Sequence, residues 1–108
     1  MLTIDATALS NIISQCFAFA TDGRFTTAQQ NAFLGDGKRL RGLLLNLISA
    51  KFNDGTQSVL DANQKLLGVN TSLSNSATVL ASTVQTLNNI TSLVGTLDKL
   101  INVAVGFV

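Results

Sequence analysis

The sequence has no proline, tryptophan, tyrosine, histidine or glutamate, and only one cysteine. Without proline, no position forbids a long helix. Without histidine, glutamate, tyrosine or a second thiol, the usual general acids and bases reduce to six aspartates and four lysines. A single cysteine allows neither an intramolecular disulfide nor a cysteine-based zinc site. Charge is scarce too. Only 12% of residues are charged, against the ~25% usual in soluble domains. A formal net charge of +1 exerts no bulk pull on nucleic acid or an acidic substrate. No apolar run reaches the ~18 residues of a simple transmembrane helix. The start, Met1-Leu2-Thr3-Ile4-Asp5, lacks the basic region of a secretory signal. The expected compartment is the cytoplasm, or the exterior by a route without a cleaved signal.

What is present is a hydrophobic fraction of 46%, which is ordinary. Serine, threonine, asparagine and glutamine have taken the place of charge. This is not the composition of a disordered chain. The 108 residues suggest one domain, 1–108, with a modest core that gains from a partner.

Three Asp-Gly pairs punctuate the chain as turn signals: Asp22-Gly23, Asp36-Gly37 and Asp54-Gly55. They predict helices over about 5–21, 27–34, 38–53 and 56–107. In the first, Leu9, Ile12, Ile13, Cys16, Phe17 and Ala20 repeat on one helical face. Asp5 or Thr7 suits its N-cap, and Cys16 reads as a buried thiol. Thr26 or Thr27 suits the N-cap of the second, whose apolar side is Ala28, Ala32 and Phe33. The third carries Leu40, Leu43, Leu44, Leu47, Ile48 and Phe52, with Asp36 as its cap.

The last segment is distinctive. Val59, Leu66, Leu73, Leu80, Leu87, Val94, Ile101 and Val108 form a strict seven-residue apolar row. The companion row is mixed: Asn63, Asn70, Ala77 and Val84, then Ile90, Leu97 and Ala104. Such a heptad predicts a coiled-coil or hairpin seam, and asparagine in it can fix register. Some 50 helical residues would span roughly 75 Å, so a compact fold requires a bend near Gly68, Asn88-Asn89 or Gly95. The expected fold is all-α: an elongated helical hairpin or small bundle, with one long C-terminal helix (about 56–107) packed on two or three shorter helices. The hairpin turn is expected at Asn53-Asp54-Gly55.

From Leu66 to Leu97 the chain runs 32 residues without a charge, and half of them are Ser, Thr, Asn or Gln. These are mediocre helix formers, so this helix needs packing to persist. Three readings follow. The first is a non-enzymatic subunit of a homo-oligomeric or filamentous assembly, self-associating through Leu66, Leu73, Leu80, Val84, Leu87, Val94 and Ile101. The second is a membrane-active component that assembles into a pore or on a lipid surface. The third is a monomeric bundle that binds another protein. In composition the neutral helix resembles subunits of secreted helical filaments and components of α-helical pore-forming assemblies. That likeness assigns no individual residues.

Few sites suggest chemistry. Asp5, Asp22, Asp36 and Asp54 fall at predicted helix ends, where aspartate caps or turns the chain. Asp61 and Asp98 cannot pair on one straight helix, and Asp61–Lys65 is an ordinary i,i+4 pair. Asp22-Gly23-Arg24-Phe25-Thr26 resembles the middle of an EF-hand loop. However, Ala18, Ala20 and Gln29 stand where ligands are needed, so it reads as a turn. Gly35-Asp36-Gly37 before Lys38, Arg39 and Arg41 offers amides and cations to an anion or lipid headgroup, without P-loop spacing. Asn70-Thr71-Ser72 and Asn89-Ile90-Thr91 match the glycosylation pattern by chance. No catalytic residue, metal or cofactor is expected. The expected partner is a second copy, with a membrane as the alternative; neither nucleic acid nor a small-molecule substrate is expected.

Overall fold

The computed structural model describes residues 4–52, 57–104 and 106–107. It is an all-α bundle 42 × 20 × 19 Å in extent, as the composition and periodicity predict. Among the described residues there are four α-helices: α1 (Ala6–Ala20), α2 (Thr27–Ser49), α3 (Gln57–Thr78) and α4 (Thr83–Ile101).

α1 starts where Asp5 accepts a hydrogen bond from the Ala8 amide at 3.0 Å, satisfying one orphan donor of the first turn. It buries Leu9, Ile12, Ile13, Cys16 and Phe19, while Phe17 and Ala20 are only half-buried. The Asp22-Gly23 turn follows as expected. Phe19, Phe25 and Phe33 then cluster, with ring centroids 4.9–5.3 Å apart. Thr26 caps α2 in a reciprocal box with Gln29.

α2 corrects the expectation of two helices, 27–34 and 38–53. It runs unbroken through Gly35-Asp36-Gly37 and stops at Ser49. Gly37 is a contact point rather than a turn. A Cβ there would lie 3.2 Å from Cys16 Cβ and 3.3 Å from the Phe17 ring. The glycine thus lets α1 and α2 approach closely, which offsets its helix cost of about 1 kcal/mol. Ala28 and Ala32, read as an apolar side, are exposed.

The stretch read as one helix over about 56–107 is two antiparallel helices. The break lies at Val79, between the glycines that looked able to supply it. Val79 is extended (φ −126°, ψ 93°), and one 3-10 turn, Leu80–Ser82, leads into α4. Hydroxyls surround the break. Thr78 Oγ1 donates to Asn75 O at 3.1 Å, Ser82 Oγ to Val79 O at 2.8 Å and Thr83 Oγ1 to Leu80 O at 2.6 Å. Such bonds offer the backbone partners outside the helical ladder. The Asn53-Asp54-Gly55 turn and Val108 lie outside the described residues.

α1 packs on α2 and α3, and α4 packs on α3 and α2. Asn63 Oδ1 accepts from the Asp5 amide at 2.7 Å, and Asn70 Nδ2 donates to Ala8 O at 3.1 Å. These bonds set α3 parallel to α1 and pin its register, the role expected of asparagine in a seam. Beyond α4, Gly106–Phe107 pairs antiparallel with Ala50–Lys51, which leave α2. This ladder lies at the end of the bundle opposite Val79.

Candidate interaction surface

The heptad row divides at the break. Leu66 and Leu73 are fully buried in the chain's own core, whereas Leu80 and Val84 are 42% and 63% exposed. Leu87, Val94 and Ile101 are half-buried at the rim. The proposed seam is therefore not one continuous surface. Leu66 and Leu73 hold α3 in the bundle and are not free to meet a second copy. α4 turns a different stripe inward: Thr83, Thr86, Ile90, Leu93, Leu97 and Leu100. One row runs through both helices at seven-residue spacing, namely Ala62, Val69, Ser76, Thr83, Ile90 and Leu97, and all of it is buried.

Much of the small polar content faces inward and closes the hairpin. Ser76 Oγ lies 2.6 Å from Thr86 Oγ1 and 3.1 Å from Ser82 Oγ. Thr86 Oγ1 also lies 3.1 Å from Ser72 O, and Asn89 Nδ2 donates to Ser72 Oγ at 3.1 Å. Ser76 and Thr86 are almost wholly buried. Among the described residues no buried side-chain polar atom lacks a partner, as a stable polar core requires. Arg24 fastens the first turn to this end by donating to Ala77 O at 2.9 Å. Its hydrogen bond also holds the Asp22 carboxyl below the usual carboxylate range.

The outer side of this hairpin carries no charge from Leu66 to Leu97. The hairpin nevertheless exposes Val79 (55%) and Leu80 at its turn, Val84 on α4 and Leu67 (60%) on the edge of α3 near α1. Gly68 and Gly95 also lie on it, with open space beyond them. Its charged residues sit at the base. There, a groove of about 750 Å³ between the helices is lined by Asp61, Lys65, Lys99, Ser58, Gln64 and Thr96 over Leu100 and Val103. Asp61 accepts from Gln57 Nε2 at 2.8 Å.

The basic trio lies mid-helix, because α2 does not start at Lys38. Its amides belong to the helical ladder, so the expected nest of free N–H groups does not form. Arg39 pairs with Asp98 on α4 at 3.0 Å, both half-exposed. Arg41 lies over the Phe17 ring, 5.5 Å from its centroid. Lys38 and Arg41 share α2's outer stripe with Leu45 (70% exposed) and Ile48 (61%). Helical spacing in the sequence placed Ile48 on the inner face; the structure turns it outward.

Cys16 is buried as expected, and its thiol is pushed up to about 12 by burial and by the Asp36 charge. Burial likewise raises Asp36 above the usual carboxylate range. Among the described residues no group of three or more metal-ligating side chains gathers. No described helix is long and apolar enough to cross a membrane. No family model, curated protein or solved structure matches the chain.

Proposed function

We propose that this protein is a non-enzymatic helical subunit that self-associates through the charge-free α3–α4 hairpin. The observation that carries this is the exposure of Val79, Leu80 and Val84 around the turn of a hairpin whose own residues carry no charge from Leu66 to Leu97. Interface centres are depleted of charge in the same way. A two-fold interface also sets residues against their own copies, so charges near its axis repel. A neutral face avoids that repulsion.

Light scattering on a size-exclusion column tests this. The expected result is a mass that rises with concentration. Leu80→Asp should weaken association by at least tenfold, because it places like charges together, while helicity is kept. Leu45→Asp on α2 should leave the mass unchanged. A monomer at all concentrations, or an assembly indifferent to Leu80→Asp, would overturn the proposal.

A second reading rests on the α2 stripe. Exposed Leu45 and Ile48 beside Lys38 and Arg41 suit the surface of an anionic bilayer. Sedimentation with phosphatidylglycerol vesicles should then show binding that neutralising Lys38 and Arg41 weakens about fivefold per charge. Equal binding to phosphatidylcholine vesicles, or none, would sink it.

A further inference from the structure

Between Gln57 and Ile101, Val79 is the only residue outside an α or 3-10 helix. Its amide still donates to Asn75 O at 2.7 Å, as in a continuing α-helix. Bringing its φ from −126° and ψ from 93° to helical values of about −63° and −42°, and converting the 3-10 turn Leu80–Ser82 to α, would join α3 to α4. Locally only the Ser and Thr hydroxyls around Val79 oppose this. The chain has three Asp-Gly turn signals, but Ser76-Ala77-Thr78-Val79-Leu80-Ala81-Ser82 has no glycine, proline, aspartate or asparagine. The seven-residue spacing of the buried row also carries straight across the break, from Ser76 to Thr83. The apolar row does the same through Leu73, Leu80 and Leu87. The seven-residue spacing thus fits a continuous helix as well as the hairpin that the monomer folds.

We propose that self-association proceeds by exchange of α4 between two copies, about a hinge at Val79–Ser82. The proposal rests on the self-association reading and holds the two copies by exchanged α4 contacts instead of by docking of the exposed face. Two side-chain contacts across the hairpin are centred at Leu80–Ala81. Ser76 meets Thr86, and Ser72 meets Asn89. Two straightened α3–α4 helices laid antiparallel, with the two-fold axis at Leu80–Ala81, re-form every one of these contacts between chains. Only the hinge changes, as in domain swapping generally. Leu80, 42% exposed in the monomer, then meets its own copy on the axis. The second copy is therefore the occupant that the apolar residues of the turn fit.

Disulfide trapping tests the exchange. In a Cys16→Ala background, Ser72→Cys with Asn89→Cys places two thiols where the side chains now touch. The monomer and dimer fractions are separated, oxidised and run on a non-reducing denaturing gel. Exchange predicts covalently linked pairs from the dimer fraction and single chains from the monomer fraction. A dimer that yields only intrachain disulfides would overturn exchange while leaving self-association by face docking intact. The absence of any dimer would overturn both. Val79→Ala, in the otherwise native chain, gives an independent reading. Alanine favours the helical hinge by roughly threefold per chain, so exchange predicts a dimer tighter by roughly tenfold. Docking of the outer face predicts a weaker one, because an exposed apolar side chain has been trimmed.

Discussion

Asp36 and Cys16 show how one residue's surroundings alter its chemistry. Asp36 sits in the middle of α2, half-buried near a fully buried thiol. Burial favours its protonated form, so its pKa is higher in the folded state than in the unfolded chain. Its contribution is most favourable at acid pH and is lost as pH rises through the raised value. At neutral pH the charge is a cost. Asp36→Asn removes that cost, so its melting temperature should exceed the parent's by a few degrees at pH 7. The advantage should vanish below the ordinary aspartate range of about pH 3.9. Melting curves at pH 7 and about pH 3 check both arms; an equal shift at the two pH values would assign the effect to packing. Sequence alone placed Asp36 at a helix start, because Gly-Asp-Gly reads as a turn. The signal it missed is tertiary. Gly37 makes room for Cys16 and Phe17, and nothing local announces that. The Asp5 and Thr26 caps and the buried thiol were legible, since capping and facing depend on near neighbours in the chain.

Within the α3–α4 hairpin, hydrogen bonds between hydroxyls take the place that apolar packing holds elsewhere. Thr86 is the centre of that set, bonding Ser76 and the Ser72 carbonyl. Thr86→Val keeps the shape and removes the bonds. It should cost about 1–2 kcal/mol, because buried partners are left unmatched. Adding Ser76→Ala should recover part of the loss, since removing both partners is nearer to neutral. Urea unfolding of the three variants measures this; a double variant weaker than the sum of the singles would contradict it. The periodic row marked Val59, Leu66 and Leu73, half of α3's buried residues, and the companion row marked Ile90 and Leu97, a third of α4's. It could not show that the chain turns at Val79. A heptad reports which residues share a face, and that face is the same for a straight helix and for a hairpin whose break preserves the phase. The polar residues that place the turn act through their side chains, and a hydropathy pattern does not register them.

At the scale of the whole molecule, charge and neutrality are segregated. Acids and bases occupy the first turn, α2 and the base of the hairpin; from Leu66 to Leu97 there are none. Association through the neutral part should therefore be nearly indifferent to salt, changing by less than about twofold between roughly 50 and 500 mM. Binding of the α2 stripe to anionic vesicles should fall steeply over the same range. Sedimentation equilibrium at the two salt concentrations separates these modes, and a strongly salt-dependent dimer would contradict the neutral interface. The all-α class was legible from the lack of proline and the helical periods. The small bundle was legible too; the division of its second half into a hairpin was not, because that depends on the turn at Val79.

The short ladder between Ala50–Lys51 and Gly106–Phe107 gives α4 a latch at the end opposite its hinge. A door fastened on both sides swings only after the latch lets go. Since the latch strand follows α4 in the chain, it must leave with it and close again on whichever copy receives it. Monomer and dimer are then separated by a barrier as well as by concentration. The mixture in a tube would record how densely the chains were packed when they folded, long after that density has changed.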